Sequence, residues 1–475
     1  MKLQGISRKL SVLALAVTVG ACDTGLTDLN QNPNAPTDVP SDLIFRQALQ
    51  SVASTALGVT MSWNHAGLWA QHVAQIQYAD EDRYQPRVDN IQAIWDAFYV
   101  GPAKDFDVIV SKSANRPLQE GVGLVMKSWT FGVMTDLWGD IPYSQALQGE
   151  AGTFTPVYTP QQEIYNGLFT DLRRADQLLG AGGATGFGAA DLVYAGDAGK
   201  WQRFANSLRL RDAMHLTKAD PAKARAEFEA AVTRPLFASN ADNASLRYTG
   251  AAPNQNPFFV NVLSRDDHRI SATMVNMLKS LNDPRLAVYA QPAQASGEYV
   301  GYGNGLPNNS VTLASASKIG TAFLAASAPA HFMTYPEVLF LRAEAAQRGW
   351  NAGGGTAAQH YVAGIRASME MNGISSAAID AYLAQPSVQY NPATGLQQIA
   401  NQKWIALYLQ GYEAWTEWRR TGFPQIVPGP AARGPVPRRF PYPGLEVSLN
   451  KDNLNAAMAR QGETGLNGRV WWDKP

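Results

Sequence analysis

Cysteine is almost absent from this sequence, since Cys22 is the only one in 475 residues. A single cysteine cannot pair within the chain, and this excludes a fold held by a disulfide framework. An excess of charge of either sign is also absent, because 39 Lys and Arg residues balance 39 Asp and Glu residues. The balance gives no electrostatic argument for binding an anionic membrane surface or nucleic acid, and we expect no nucleic-acid partner.

The sequence motifs of common catalytic sites are absent too. There is no HExxH, GxSxG or P-loop pattern and no GxGxxG after a strand. Two acidic clusters remain, at residues 80–82 beside Arg83 and at residues 266–267 beside Arg265. Glycoside hydrolysis requires two carboxylates a few ångströms apart, whereas acids next to arginine are typical of ion-paired loops. Catalysis through Asp82 or Asp267 is therefore kept only as an alternative.

Long apolar runs are missing except near the N-terminus. Residues 10–19 are apolar and follow a positively charged start, which is the order of a secretory signal. Ten residues are too few to span a bilayer, which requires ~20. The run ends in VGAC, which resembles the lipobox of bacterial lipoproteins; a plain secretion signal is the alternative. We predict a signal peptide over residues 1–21, lipidation of Cys22, and a tether over residues 22–40, which are rich in Asn, Asp, Thr and Pro.

Helix start signals dominate the rest of the chain. In TPQQEIYNGLFTDLRRADQLLG, Thr159 is predicted as the N-cap of a helix that stops at a glycine. In MTYPEVLFLRAEAAQRGW, Thr334 and Glu337 predict a capping box. Thr356 and Gln359 predict another.

The last two predicted helices form a pair over residues 334–372, about the length of one tetratricopeptide repeat. The period is not regular elsewhere, so the sequence predicts repeat-like packing without a regular solenoid. A further helix is predicted over NQKWIALYLQGYEAWTEWRR, residues 401–420. A glycine inside a helix costs ~1 kcal/mol relative to alanine, so Gly411 indicates the close approach of a neighbouring helix.

Two stretches interrupt the helical pattern, residues 234–270 and 291–329. Both are rich in Asn, Gly, Ala, Ser and Pro, and long irregular stretches in a compact protein are more often functional loops than spacers. No shift of composition divides the chain after the tether. We therefore predict a single helical ligand-binding domain over residues 41–475, with long irregular loops.

Aromatic residues with polar neighbours are the candidate ligand contacts. An aromatic ring can cover the apolar face of an uncharged sugar while amides and carboxylates meet its hydroxyls. Two segments have this composition, MSWNHAGLWAQHVAQIQYADEDRYQP and the Gly/Asn-rich loop SGEYVGYGNGLPNN. The predicted ligand-binding residues are Trp63, Trp69, Tyr78, Tyr84, Tyr299, Tyr302 and Asn304. The two tryptophans lie on a predicted helix and can equally be core residues, whereas the loop tyrosines have fewer packing partners.

The sequence resembles the SusD/RagB nutrient-binding lipoproteins, in particular a short and strongly helical subgroup. The resemblance extends along nearly the whole chain in eight segments that follow one another in the same order. They are the lipobox with DLNQNPNAPT, TDLWGDIPYSQAL (135–147), DNASLRYTGAAPNQNPFF (242–259), LKSLNDPRLAVYAQP (278–292), MTYPEVLFLRAEAAQRGW (333–350), QKWIALYLQGYEAWTEWRRTGFP (402–424), RRFPYPGLEVSLN (438–450) and RVWWD (469–473).

This resemblance implies an all-α SusD-like fold with tetratricopeptide-like helix pairs, long irregular loops and little β structure. It also implies a lipid anchor at the outer membrane, facing the cell exterior. The implied function is to bind oligosaccharides or peptides and to deliver them to a SusC-like TonB-dependent transporter, without enzymatic activity, catalytic cofactor or metal site. The alternatives from other functional classes are an outer-membrane glycosidase and a helical-repeat scaffold that binds only protein.

Overall fold

The computed structural model describes residues 39–308 and 310–475. The predicted signal peptide, Cys22 and the tether up to residue 38 lie outside the described residues. Most of the described chain is helical, and the prediction of a mostly helical fold is confirmed. None of these helices combines the length and apolarity that a membrane crossing requires.

The helices, in chain order, are α1 (Ser41–Leu57), α2 (Val59–Ser62), α3 (Ala66–Trp69), α4 (Val88–Phe98), α5 (Lys104–Lys112), α6 (Pro117–Trp138), α7 (Gln161–Leu179), α8 (Ala198–His215), α9 (Pro221–Ala231), α10 (Pro257–Val262), α11 (Ala272–Ser280), α12 (Leu286–Tyr289), α13 (Tyr335–Gln347), α14 (Ala357–Met371), α15 (Ser376–Leu383), α16 (Gly395–Ala406), α17 (Gly411–Thr421), α18 (Gly444–Leu449) and α19 (Lys451–Gln461). The strands are β1 (Val73–Gln75), β2 (Ile141–Pro142), β3 (Tyr158–Thr159), β4 (Ala244–Leu246), β5 (His268–Ile270) and β6 (Ala330–Met333).

The strands form three short antiparallel ribbons, β1 with β5, β2 with β3, and β4 with β6. Two of these ribbons join segments that are far apart in the sequence. In the first ribbon Ala74 pairs with Arg269, and in the third Ser245 pairs with His331. The irregular stretches of the chain are thereby attached to the helical body by a few backbone hydrogen bonds at defined places.

The predicted helix pair over residues 334–372 is present as α13 and α14. The capping box of Thr356 and Gln359 is confirmed, because each side chain accepts a hydrogen bond from the other residue's backbone N–H, at 3.2 and 2.8 Å. The box predicted for Thr334 and Glu337 is wrong. Glu337 instead accepts two hydrogen bonds from the Arg211 guanidinium of α8, both at 2.6 Å, so a tertiary ion pair holds the carboxylate that local capping would use.

The N-cap predicted at Thr159 is also wrong. Helix α7 begins at Gln161 with Pro160 at the cap position and without a side-chain cap. The Thr159 hydroxyl accepts a hydrogen bond from the backbone N–H of Ser144 at 3.1 Å. Thr159 therefore belongs to the β2–β3 ribbon, where its backbone also pairs with Ile141.

The helix predicted over residues 401–420 is two helices, α16 and α17, which are separated by residues 407–410. Leu409 adopts a left-handed backbone with φ of 63°, which an α-helix cannot contain. Gly411 is therefore the first residue of α17, not an interior residue. The predicted close approach is confirmed, because a Cβ at Gly411 would lie 2.7 Å from the backbone nitrogen of Gly67 in α3.

Charged side chains connect the helices in the interior. Arg420 of α17 contacts Glu344 of α13 at 2.6 Å and Glu417 of its own helix at 2.7 Å. Arg211 of α8 contacts Glu337 of α13 at 2.6 Å. All five side chains are buried. Buried ion pairs with such short, bidentate geometry fix the relative positions of α8, α13 and α17.

Candidate functional site

The two segments predicted to recognise ligand meet in the structure. The first contributes β1, which pairs with β5, and the second is joined to it through the side chain of Asn304. The Asn304 amide nitrogen donates to the Val73 carbonyl at 2.8 Å and to Asp82 Oδ1 at 2.7 Å. Its amide oxygen accepts from the Ser271 hydroxyl at 2.6 Å. These bonds hold the Gly/Asn-rich loop against the segment that follows α3.

The segment after α3 contains an unusual concentration of left-handed backbone. Gln71, Tyr78 and Tyr84 have φ values of 53°, 53° and 64°. This conformation is disfavoured for residues other than glycine, and it persists where the surrounding structure enforces it, often at functional sites. The segment is therefore held in a fixed, strained shape before any ligand arrives.

Tyr78 is the predicted aromatic contact that this strained segment presents to solvent. Its side chain is 58% exposed, and the Arg265 guanidinium carbon lies 4.8 Å from the ring centroid. Arg265 is in turn fixed by Asp267, with Nε 2.5 Å from Oδ2. A cation against one face of the ring restrains the side chain. The exposed part of the ring stays available to a ligand. Tyr78 is thus a preorganised aromatic platform at the surface.

The other predicted ligand contacts are placed differently. Trp69, Tyr84, Tyr302 and Asn304 are buried, so their side chains offer a ligand almost no surface. Trp69 packs edge-on against Trp415 in the core, with ring centroids 4.9 Å apart. We correct their predicted role from ligand contact to structural support for the site.

Trp63 and Tyr299 are intermediate cases. Trp63 is only 1% exposed, and its ring stacks on Phe258 with centroids 4.5 Å apart and planes 7° apart. Its remaining surface lines a cleft. Tyr299 is half-buried against the core. The loop tyrosines therefore have more packing partners than the sequence indicated.

The acidic residues considered for catalysis have bonding partners within the protein. Asp82 is completely buried, and burial raises its pKa to about 7 although hydrogen bonds from Asn304 and the Gln75 and Gly305 backbone oppose the shift. Asp267 is paired with Arg265 at 2.5 Å. Both carboxyl groups hold the loops around the site, Asp82 through hydrogen bonds and Asp267 through its ion pair.

A cleft of about 610 Å³ opens on the described part of the chain, and its volume lies in the range usual for ligand sites. This larger cleft is enclosed by β4, the chain that follows it, the start of α10, the 3₁₀ turn Thr321–Leu324, β6 and the end of α16. Ten of its 25 lining residues carry aromatic or amide side chains. They are Tyr248, Phe258, Tyr289, Phe323 and Tyr408, with Asn240, Asn243, Asn256, Asn372 and Gln410.

A smaller cleft of about 330 Å³ lies at the C-terminal end of α10, where Asn261 and Val262 line it. Its lining is more highly charged and includes Arg265, Asp266, Asp267 and Lys318. The stack of Trp63 on Phe258 stands between the clefts, because Trp63 lines the smaller one and Phe258 the larger one. The platform of Tyr78 on Arg265 adjoins the smaller cleft. Together the two clefts and the platform provide aromatic faces beside hydrogen-bonding groups, which is the chemistry that carbohydrate recognition requires.

Sequence reasoning missed the residues of the larger cleft. The signal that could have found them is the irregular composition of residues 234–270 and 291–329, since most of the lining comes from these stretches and from β6. The stacked pair Tyr289 and Tyr408, with centroids 4.4 Å apart, comes from two different helical regions. No local pattern indicates that these rings face one cavity.

One buried cluster of the described residues has the composition of a metal site. His215, Glu413 and Glu417 place possible ligand atoms within 4.8 Å of one another. Burial lowers the pKa of His215, but Glu413 and Asp136 more than offset this and raise it to about 10. The imidazole is therefore held in its protonated form between these carboxylates, and Lys403 Nζ lies 3.3 Å from Glu417. The cations that balance these carboxylates are protein side chains, so the cluster is structural.

Comparison with known proteins gives one matching sequence family and several solved structures with the same fold. The SusD-like family, described as starch-binding and associating with the outer membrane, matches residues 33–443. None of the curated proteins matches the chain. Among solved structures, a chitin-binding protein is 30% identical and covers 91% of this chain and 99% of its own, with a TM-score of 0.81. A chitin-binding SusD homologue from Flavobacterium johnsoniae is 26% identical and covers 90% of this chain and 98% of its own, also with a TM-score of 0.81.

A SusD homologue from Bacteroides uniformis is 28% identical, covers 91% of this chain and 99% of its own, and has a TM-score of 0.81. The family match spans most of the sequence, and the fold agrees with these structures along nearly their full length. The resemblance found in the sequence is therefore confirmed. The chain belongs to the SusD-like family of starch-binding, outer-membrane-associated proteins.

Proposed function

We propose that this protein is a cell-surface lipoprotein that binds oligosaccharides and delivers them to a SusC-like TonB-dependent transporter. The observation that carries the binding step is the pair of clefts beside the Tyr78 platform, in a chain that belongs to a starch-binding family. The chitin-binding names of two solved relatives support a glycan as the ligand. Enzymatic activity is not part of the proposal, because SusD homologues are binding proteins.

Calorimetry on the purified full-length chain in detergent tests the binding step, with neutral and acidic oligosaccharides as probes. Saturable binding of at least one oligosaccharide without hydrolysis is the expected result. Binding of none of them would overturn the proposal, and release of shorter sugars would favour a glycosidase. The delivery step is tested separately by whether a TonB-dependent transporter copurifies with the full-length chain from outer membranes.

Replacing Tyr78 by alanine is expected to weaken oligosaccharide binding by about 1–2 kcal/mol, or roughly 5- to 30-fold in Kd. The exposed ring is the aromatic surface that a sugar face would cover, and Tyr78 is itself a lining residue of neither cleft. The measurement is a calorimetric titration of both proteins with the same oligosaccharide. Phe154→Ala is the matched control, since Phe154 is 81% exposed but lies in the β2–β3 connection and lines neither cleft. Equal losses in the two variants would contradict a specific role for Tyr78.

Replacing Cys22 by serine is expected to abolish lipid labelling and to release the protein from the membrane. The predicted lipobox makes the Cys22 sulfur the point of lipid attachment. The serine hydroxyl cannot replace this sulfur as the attachment point. The measurement is metabolic labelling with a fatty-acid analogue, followed by membrane fractionation. Labelling of the serine variant at the level of the parent chain would show that the anchor is elsewhere. Membrane retention of an unlabelled variant is assigned by N-terminal sequencing, which reveals an uncleaved signal.

A further inference from the structure

The larger cleft carries charge of only one sign. Arg247 lines it and is exposed, and within the described part of the chain its guanidinium forms neither a hydrogen bond nor an ion pair. No Asp or Glu is among the described residues that line this cleft. The lining histidine, His331, is neutral because burial lowers its pKa to about 4. Arg247 is thus the one charged group among the described residues that line the larger cleft.

The cations of the smaller cleft are paired with acidic side chains of the protein. Arg265 is paired with Asp267 at 2.5 Å, and Lys318 is paired with Asp266 at 3.1 Å. Each cation there has a carboxylate of the protein as its partner. Arg247 of the larger cleft has no carboxylate partner within residues 39–308 and 310–475. The difference between two adjacent clefts indicates that the partner of Arg247 comes from outside the chain.

Unused neutral groups in the same cleft indicate that the rest of the ligand is polar and uncharged. The Tyr248 hydroxyl and the Asn240 amide oxygen are buried, and neither has a hydrogen-bond partner among the described residues. An unsatisfied buried group costs about 1–3 kcal/mol. By contrast, the Tyr408 hydroxyl donates to the Tyr289 carbonyl at 3.2 Å, so these stacked rings form an apolar wall. A hydroxyl-bearing ring with an apolar face satisfies both kinds of surface.

We propose that the larger cleft recognises an acidic oligosaccharide, with Arg247 pairing with the carboxylate of a uronic acid unit. The Tyr248 hydroxyl and the Asn240 amide oxygen bind hydroxyls of the same ligand, and the half-buried Phe323 ring, which lines the same cleft, covers an apolar sugar face. The guanidinium presents two parallel N–H donors, a geometry that matches a carboxylate. This inference rests on the proposed glycan-binding function and narrows its substrate class.

The test compares an oligogalacturonide with its methyl ester, which has the same sugar rings and linkages but a neutral methyl carboxylate in place of each charge. The panel also includes oligosaccharides of glucuronic acid, and all are titrated into the full-length chain in detergent. We expect at least one free acid to bind about tenfold more tightly than its ester. Arg247→Gln is expected to remove this preference, so that the free acid and its ester bind with equal affinity. Arg225→Gln, an exposed arginine on α9, is the matched control and is expected to retain the preference.

Each result decides between the two proposals. Equal affinity for every acid and its ester, or binding of neutral oligosaccharides alone, overturns the acidic substrate class and leaves the proposed function standing. If Arg247→Gln still binds the free acid more tightly than its ester, the assignment of the ligand carboxylate to Arg247 in the larger cleft is overturned. If no oligosaccharide of any kind binds, the proposed function itself fails. The Arg247→Gln variant is expected to fold normally, because the replaced side chain is exposed. Circular dichroism of the variant checks this.

Discussion

Replacing Arg420 by methionine is expected to lower the free energy of unfolding by about 3–5 kcal/mol, because it leaves two buried carboxylates without their main countercharge. The guanidinium donates to both Glu344 oxygens at 2.7 and 2.6 Å and to both Glu417 oxygens at 2.9 and 2.7 Å. Arg420 is 1% exposed, so water cannot take its place. Methionine retains an unbranched apolar stem, and the loss is therefore one of charge more than of packing.

The same pairing predicts that the free energy of unfolding depends on pH. Burial alone raises the pKa of each carboxyl, but Arg420 more than offsets it, so the pKa of Glu344 falls to about 2 and that of Glu417 lies well below its ordinary value. A folded-state pKa below the unfolded value of about 4.3 stabilises the fold at higher pH, and this contribution is lost as the pH falls through the folded pKa. Without Arg420 the two acids can protonate at higher pH. The stability difference between parent and variant is therefore largest near pH 7 and shrinks as the pH falls from about 5 toward 2.

Urea unfolding followed by tryptophan fluorescence at pH 7 and pH 4 measures both effects. Arg225→Met is the matched control, because Arg225 pairs with Glu229 at 2.9 Å on the exposed face of α9. Exposed i,i+4 pairs contribute only about 0.3–0.5 kcal/mol, so this control is expected to unfold at nearly the parent urea concentration. A loss below about 1 kcal/mol in Arg420→Met at pH 7 would contradict the account of the buried network.

Local signals predicted those parts of the fold that local interactions determine. The capping box of Thr356 and Gln359 needs only four consecutive residues, and it forms as predicted. The box of Thr334 and Glu337 has the same pattern but fails, because Arg211 arrives from α8, more than a hundred residues earlier in the chain. A bidentate ion pair in the interior is stronger than a cap at a helix end. Pattern alone cannot distinguish the two cases.

The candidate site was predicted in part for the same reason. Composition pointed to the two segments that meet through Asn304, and it identified Tyr78, which is exposed. The sequence could not separate Tyr78 from Trp69, because both are aromatic residues with polar neighbours, yet one lies at the surface and the other in the core. The larger cleft draws its lining from distant segments. Only tertiary packing shows that Arg247 and Tyr408 face one cavity.

The sequence predicted one continuous helix where α16 and α17 are separate, but the inference about the close approach at Gly411 was correct. Gly411 begins α17 at the point where that helix crosses α3, and α3 itself carries Gly67 there. A Cβ on Gly411 would lie 2.7 and 2.9 Å from the Gly67 backbone nitrogen and Cα and 3.0 Å from the Ser62 Cα. All three neighbours are backbone atoms, which cannot rotate away as a side chain can.

Replacing Gly411 by alanine is therefore expected to lower the free energy of unfolding by about 3 kcal/mol, at the upper end of the cost of overpacking. The added methyl forces α17 away from α3 and loosens the contact of Trp415 with Trp69, whose centroids are 4.9 Å apart. Urea unfolding and near-ultraviolet circular dichroism of the tryptophans measure the two consequences. Gly149→Ala is the matched control, since no described atom lies within 4 Å of a Cβ at that position. If Gly411→Ala were as stable as Gly149→Ala, the two helices would have to separate without cost, and the contact of α17 with α3 could not be what fixes the start of α17.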